Sequence, residues 1–338
     1  MKTSKYSHFV KNYTYARFNY STLFVRVLPT DNCNLNCFYC FQRKDDAVDM
    51  PWELFVQVLD KARELKLGLM SFLGGEPMLW DHLYDALALC SKHNILTDMT
   101  TNGTLLNRET IERLGSSGLD ALNVSVDTKS SLSASKKNTL FNGDIVKALK
   151  TAEKTYGMKI RMNGVIFNNN FEDIKLLLEL SKESEIPLSL GFIVPDLKSD
   201  RNKKSYFSEE DTELLGEIVD YILQRKKEKY PVIDPDSYFT NVFKFIKNEY
   251  FWECNYPTKY GWVNVVSDGT LRGCTKKMDD SDMTFLSLTP EKIKHYKESL
   301  QEPVKECNPF CYSNCAYDSA YYRDNKLAFI ADNFSKTF

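Results

Sequence analysis

Six short apolar runs, at residues 22–29, 69–73, 96–101, 121–127, 159–167 and 187–194, alternate with stretches of helical spacing, and nothing else in the chain restricts its fold as strongly. The intervening helices read as 51–65, 80–93, 108–117, 143–156 and 171–185. Pro51 marks the opening turn of the first, where a missing N–H costs nothing, and Glu53 places a carboxylate at the positive end of the helix dipole. Strand–helix–strand alternation of this kind predicts a parallel sheet with right-handed crossovers. The candidate site residues follow strand ends, where parallel α/β folds carry their chemistry.

Beyond residue 195 the pattern breaks. Residues 196–206 are charged and polar and read as a boundary, with helices expected near 208–229 and 237–251. Residues 261–266 and 270–274 flank Asp268-Gly269, a strong hairpin signal. The last cysteines, Cys307, Cys311 and Cys315, lie in what reads as a loop interrupted by Pro309. The expected division is a lead-in over 1–20, a barrel over 21–200, a helical linker over 201–250 and a small cysteine-rich unit over 251–338.

Composition excludes more than it assigns. A formal net charge of −2 makes no electrostatic case for nucleic acid or a membrane surface. No apolar run approaches the roughly 18–20 residues of a transmembrane helix, and residues 1–20 lack the apolar core of a signal peptide. The nine cysteines are clustered, with three in 33–40, Cys90 alone, and five from Cys254 onward. An odd, clustered set without a secretion signal points to metal binding in a reducing cytoplasm rather than to disulfides. Cys90 shares an apolar helix face with Leu83, Ala86 and Leu87 and reads as a buried thiol.

Directly after the first apolar run comes Cys33-Asn34-Leu35-Asn36-Cys37-Phe38-Tyr39-Cys40, a C-x3-C-x2-C spacing that lets three thiolates curl around a soft metal centre. Four ligands close a structural site, whereas three leave one metal position for something that is not protein. A zinc knuckle is the other reading of the spacing. The second run ends in Gly74-Gly75-Glu76-Pro77, whose glycines permit close backbone approach to a ligand.

Together these two stretches resemble the signature elements of radical S-adenosylmethionine (radical SAM) enzymes, and the resemblance covers residues 20–195. It implies that Cys33, Cys37 and Cys40 hold a [4Fe–4S] cluster whose fourth iron is chelated by the amino and carboxylate groups of S-adenosylmethionine. Reduction of the sulfonium then yields a 5′-deoxyadenosyl radical that takes a hydrogen atom from substrate. Tyr39 would lie beside the adenine. Gly74, Gly75, Glu76 and Pro77 would meet the methionine amino group, with the Glu76 charge near the ammonium. Asn102, Ser125, Asp127 and Asn163, with Asn170 after the fifth strand, stand where the family contacts the ribose and carboxylate. For each of these a cap or turn role is the alternative. The fold class implied is α/β, a partial (β/α)6 TIM-like barrel followed by a small α+β cysteine-rich auxiliary-cluster domain.

Cys254-x14-Gly269-x4-Cys274 resembles the opening of the SPASM and twitch domains attached to many of these enzymes, and the expected hairpin gives Gly269 a tight turn to make. The resemblance implies one auxiliary [4Fe–4S] cluster drawing on Cys254, Cys274, Cys307, Cys311 and Cys315. A full SPASM domain has more cysteines, and the C-x3-C-x3-C tail departs from its spacing. A structural zinc is the alternative, and use of only three of the five would leave an iron open to substrate.

The subclass so defined most often modifies peptide or protein residues, by cross-linking or oxidation. Dehydrogenation or rearrangement of a small molecule such as an amino sugar or cyclitol is the alternative. A non-catalytic metal-binding protein is a third, against which an intact glycine motif behind an intact cysteine loop speaks. The expected partners are a peptide or small-molecule substrate and an external one-electron reductant such as flavodoxin or ferredoxin. About twenty residues precede the first strand, fewer than the roughly 80 of a leader-binding domain. A leader is therefore expected to meet the barrel face or a separate protein, or to be absent. No general base is singled out.

Overall fold

The computed structural model describes residues 5, 7–9, 11, 24–40, 42, 47–129, 136–193, 206–247, 249, 254, 262–274, 280–307 and 311–324. Most of the expected lead-in, the boundary segment 196–205 and the tail beyond 324 lie outside them.

Six strands, β1 (Phe24–Val27), β2 (Leu69–Phe72), β3 (Leu96–Thr101), β4 (Ala121–Ser125), β5 (Lys159–Ile166) and β6 (Leu188–Phe192), run parallel and pair in sequence order. The crossovers carry α1 (Trp52–Glu64), α2 (Leu83–Lys92), α3 (Arg108–Ser116), α4 (Gly143–Tyr156) and α5 (Phe171–Ser184). This is the expected partial barrel. The second helix starts later than its pattern suggested because Pro77–Leu79 closes a 3-10 turn first, and the Trp80 indole then turns inward to donate to Met50 O at 2.9 Å.

Strand alternation separates two faces. Val25 and Val27, Met70 and Phe72, Leu122 and Val124, and Ile160 and Met162 point to the helices and join one continuous core. Each fully buried side chain of this kind contributes about 1.5–3 kcal/mol relative to exposure. The opposite face is polar. Arg26, Ser71, Asp98, Asn123, Ser125, Arg161 and Asn163 sit there, and Arg26, Asp98, Ser125, Arg161 and Asn163 stay half-buried. Asp98 on β3 feels the charges of both Arg26 on β1 and Arg161 on β5. Side chains from non-adjacent strands meet in this way only because the sheet curls.

The sheet continues past its β1 edge. β7 (Trp262–Val265) pairs with β1 in parallel, then turns into β8 (Thr270–Arg272) and β9 (Asp280–Thr284), giving the order β6-β5-β4-β3-β2-β1-β7-β8-β9. The expected hairpin is present, with Gly269 at φ +87° in its turn. At the opposite edge, Leu188 N donates to Pro231 O at 2.9 Å and Ile233 N to Leu188 O at 3.0 Å, forming a single parallel bridge outside β6. The region between barrel and hairpin therefore packs on the sheet, through α6 (Thr212–Lys227) and α7 (Asp236–Ile246). Tyr238 of α7 bonds Phe192 N at 2.9 Å and stacks on Tyr312.

Three C-terminal helices escaped the sequence reading: α8 (Pro290–Ser299), α9 (Gln301–Cys307) and α10 (Asn314–Asp324). Cys307 ends α9 and Cys315 lies in the first turn of α10, so only Cys311 among these three occupies the expected loop. α10 sits against the inner face of β6. Asn314 Nδ2 bonds Ser189 Oγ at 3.1 Å, and a Cβ on Gly191 would lie 3.0 Å from the Asn314 side chain. Among the described residues no helix is long and apolar enough to cross a membrane.

Candidate functional site

The cysteine loop is an excursion with a pinned base. Met50 N donates to Pro29 O at 2.7 Å, Asp31 N to Val48 O at 3.2 Å, and the Thr30 hydroxyl bonds the Asp49 carboxylate. Between these anchors the chain bends back on itself at Cys40 N to Cys37 O, 3.1 Å. Cys37 is buried, while Cys33 and Cys40 are half-buried. Amide donors reach two of the sulfurs, Leu35 N to Cys33 Sγ at 3.5 Å and Gln42 N to Cys40 Sγ at 3.4 Å, and the Asn102 amide lies 3.8 Å from Cys33 Sγ.

Gly74-Gly75-Glu76-Pro77 lies directly against this loop. Gly75 N donates to Thr30 O at 2.9 Å and Glu76 N to Asn32 O at 2.8 Å. A Cβ on Gly75 would stand 2.0 Å from Asn32 O, and Gly74, at φ +121°, has Thr30 O in the same position at 2.5 Å. The two motifs, forty residues apart, thus form one surface, and the glycines are needed first for the contact between them.

Glu76 is fully buried and its carboxylate is engaged on every side. It accepts from Thr101 Oγ1 at 2.7 Å, Asn102 N at 2.7 Å and Met78 N at 3.2 Å. Burial pushes its pKa up, and these donors and the Lys137 charge pull against that. Pro77, also buried, opens the turn that Glu76 caps. Asn102 extends the network, with its amide 2.8 Å from Asn34 Oδ1 and its carbonyl accepting from Thr104 N at 2.9 Å.

Tyr39, Asp127 and Lys137 form a second knot on the other side of the loop. The Tyr39 hydroxyl donates to Asp127 Oδ2, Lys137 Nζ donates to Tyr39 OH at 2.8 Å, and Val165 N donates to Asp127 Oδ1 at 3.1 Å. Asp127, expected to face a ribose, is turned inward here. A ribose contact would share or exchange one of these bonds. Ser125 and Asn163 are register partners on the inner face. Asn170 bonds Phe167 N at 3.0 Å and Val165 O at 2.8 Å, which is the turn role.

The inner-face charges Arg26, Asp98 and Arg161 were not singled out from sequence. Burial raises the Asp98 pKa, opposed by Ser71, Arg26, Arg161 and Asn123. The available signal was a charged residue at an inward position of an apolar strand.

The C-terminal cysteines are distributed as follows. Cys274 lies just after β8, Cys254 packs against the core, Cys307 is half-buried, Cys311 is buried and Cys315 is exposed. Cys90 is fully buried, and burial pushes its thiol up to about 12, as a structural thiol requires. Among the described residues no three His, Cys, Asp or Glu side chains converge as a single metal ion needs. Around one zinc, with Zn–S of about 2.3 Å, the sulfurs must approach within about 4 Å of each other. A cuboidal cluster binds each thiolate through its own iron and keeps the sulfurs further apart. Three thiols, amide donors to two of them and a buried cation nearby fit a cluster with one open iron.

A family model of the radical SAM superfamily matches residues 27–187, β1 to the start of β6. The chain is 30% identical over 272 residues, 74% of its length and 80% of the other, to a GTP 3′,8-cyclase of Clostridium botulinum. In fold it is similar to Streptococcus suis SuiB bound to precursor peptide SuiA, with TM-score 0.61, 18% identity, and coverage of 88% of this chain and 70% of that one. It is also similar to anSMEcpe with bound AdoMet and a Cp18Cys peptide, with TM-score 0.60, 18% identity, and coverage of 93% and 97%. The chain belongs to the radical SAM superfamily, and its cofactors are a [4Fe–4S] cluster and S-adenosylmethionine. The likeness in fold runs beyond the barrel into the C-terminal region, the architecture of radical SAM enzymes with a SPASM or twitch extension.

Proposed function

We propose that this radical SAM enzyme modifies a residue of a peptide or protein, by cross-link formation or oxidation, with an auxiliary [4Fe–4S] cluster taking up the electron left on the substrate. The observation that carries this reading is the β7–β8 hairpin: Gly269 turns the chain between Cys254 and Cys274, and β7 pairs directly with β1. Any group bound near Cys274 would therefore border the same barrel as the cysteine loop. The peptide bound in the structural relatives SuiB and anSMEcpe supports the substrate class.

Cys33, Cys37 and Cys40 would hold the primary cluster, which supplies one-electron cleavage of S-adenosylmethionine when bound. Gly74, Gly75, Glu76 and Pro77 form the wall where the methionine end would lie. Asn102, Ser125, Asp127 and Asn163 line the rim for the remainder, with Tyr39 set for the adenine. Cys274, Cys254 and Cys315, with Cys311 and then Cys307, are the candidate ligands of the second cluster. An external one-electron reductant such as flavodoxin or ferredoxin would feed the site.

A second reading has its own support. The GTP 3′,8-cyclase relatives act on a small molecule by their name, and Arg26 and Arg161 place two guanidiniums on the inner face, suited to an anionic substrate. An amino sugar or cyclitol belongs to the same alternative. The test supplies anaerobically reconstituted protein with dithionite and S-adenosylmethionine, plus either short peptides encoded near its gene, GTP, or an amino sugar. The expected result is 5′-deoxyadenosine release stimulated by the peptide, which loses hydrogen in proportion. Stimulation by GTP or the sugar alone would overturn the peptide reading.

A further inference from the structure

A cation largely shielded from solvent stands beside the cysteine loop. Lys137 follows β4, and its side chain is 13% exposed. Its backbone is fixed, because Asp127 N donates to Lys137 O at 3.0 Å and Thr128 N at 3.4 Å. Its Nζ donates to Tyr39 OH at 2.8 Å and lies 5.0 Å from the centre of that ring. Tyr39 stands between Cys37 and Cys40 in the chain, so this bond brings the ammonium to the loop. The negative charges that act on Lys137 are those of Asp127 and then of Cys37, Cys40 and Cys33, and on Cys37 the Lys137 charge is the strongest electrostatic influence.

Asp127 lies within ion-pair distance of this cation and offsets it in part. Its oxygens are tied to Tyr39 OH and Val165 N, and Nζ keeps 3.7 Å from the nearer one while bonding the tyrosine instead. A group held by three thiolates is already negative, and one-electron reduction adds to that charge without making or breaking a bond. A buried positive charge nearby favours the added electron, since the charge on a cluster and its surroundings sets its potential.

We propose that Lys137 raises the reduction potential of the cluster at Cys33, Cys37 and Cys40, with Tyr39 as the arm that holds the ammonium against the loop. Lys137 is in this sense a positioning residue for electron entry, and the role is independent of which substrate follows. The electron comes from the external one-electron donor.

The test is an anaerobic redox titration of the reconstituted full-length protein, poised with dithionite and read by electron paramagnetic resonance. The primary cluster is identified as the signal that changes when S-adenosylmethionine is added. Lys137→Gln should lower its midpoint by about tenfold in the reduction equilibrium, about 59 mV for one electron, with iron content unchanged. Lys137→Arg should stay near wild type. The double variant Asp127→Asn with Lys137→Gln also removes a nearby negative charge, so its midpoint should lie above that of Lys137→Gln. An unchanged midpoint in Lys137→Gln, equal falls in the Gln and Arg variants, or a double variant no higher than Lys137→Gln would each overturn the proposal. An unchanged midpoint with weakened S-adenosylmethionine binding would mark Lys137 as a cofactor ligand instead.

Discussion

Gly75 shows how much of this site rests on a missing atom. The carbonyl of Asn32 occupies the place of its Cβ, and a carbonyl in a pinned loop has nowhere to move. Gly75→Ala should destabilise the protein by about 3 kcal/mol or more, the upper range for overpacking, and should reduce the iron retained after reconstitution. Gly216 in α6 has no atom within 4 Å of its would-be Cβ, so Gly216→Ala should raise stability by about 0.5–1 kcal/mol. Thermal melts of the two variants beside iron assays check both outcomes. The glycine motif was legible in the sequence as a place of close approach. What approaches it was not, because Asn32 and Gly75 are brought together by the pairing of β1 with β2, and sequence distance hides that contact. Lys137 is a stronger case, lying 98 positions from the tyrosine it bonds.

At the scale of elements, two buried carboxyls lie where α10 packs against β6. Asp234 accepts from Ser189 Oγ at 2.8 Å and Leu190 N at 2.7 Å. Burial raises its pKa to about 6, against those bonds and the Lys226 charge. Asp318 of α10 is pushed well above the usual carboxylate range by burial and by Asp234. The charged and titratable groups around them are Lys226 of α6, which bonds Asp234 O and pairs with Asp236 at 2.5 Å, and Tyr238 of α7. Both carboxyls hold protons more tightly folded than unfolded. Their contribution to stability is therefore fully present below about pH 4, the unfolded value. For Asp234 it is lost as the pH rises through about 6, and for Asp318 as the pH rises through its own raised value. Asp318→Asn, neutral at every pH, should stabilise the protein by about 1 kcal/mol or more at pH 8, roughly one pKa unit's worth. The gain should vanish near pH 4, and denaturant titrations at the two pH values provide the measurement. Helices α8 to α10 were missed because they are short and α10 carries almost no apolar periodicity, with cysteines and tyrosines spread around it. Their helical form depends on what they pack against.

For the whole molecule, the C-terminal region packs at both ends of the barrel sheet, with β7 beside β1 and α10 against the inner face of β6. The hairpin also braces the cysteine loop. Ser267 Oγ bonds Asp31 Oδ2 at 3.3 Å, and Arg272 Nη1 bonds Gln42 Oε1 at 3.1 Å, joining residues two positions from Cys274 and two from Cys40. Two clusters of four irons predict about eight irons per chain in anaerobically reconstituted protein. Cys274→Ala should lower the count to about four while 5′-deoxyadenosine is still released, and Cys37→Ala should abolish release. One zinc with about four irons would remove the auxiliary cluster from the account.

Within the barrel, the order of strands and helices was settled by the sequence alone, since a period of 2 or 3.6 residues and a proline or glycine at a turn act over a few bonds. The cysteine spacing likewise pointed to a three-thiolate site by itself, because ligands seven residues apart need no fold to meet. Only the tertiary structure decided that the glycine motif is a wall of the cysteine loop, that β7 joins the barrel sheet, and that Lys137 meets the loop through Tyr39. These depend on which segments the sheet and its curvature bring together, and such long-range contacts leave no periodic trace in the chain. The opening loop is thus written in eight residues, and its electrostatic setting is written in the fold.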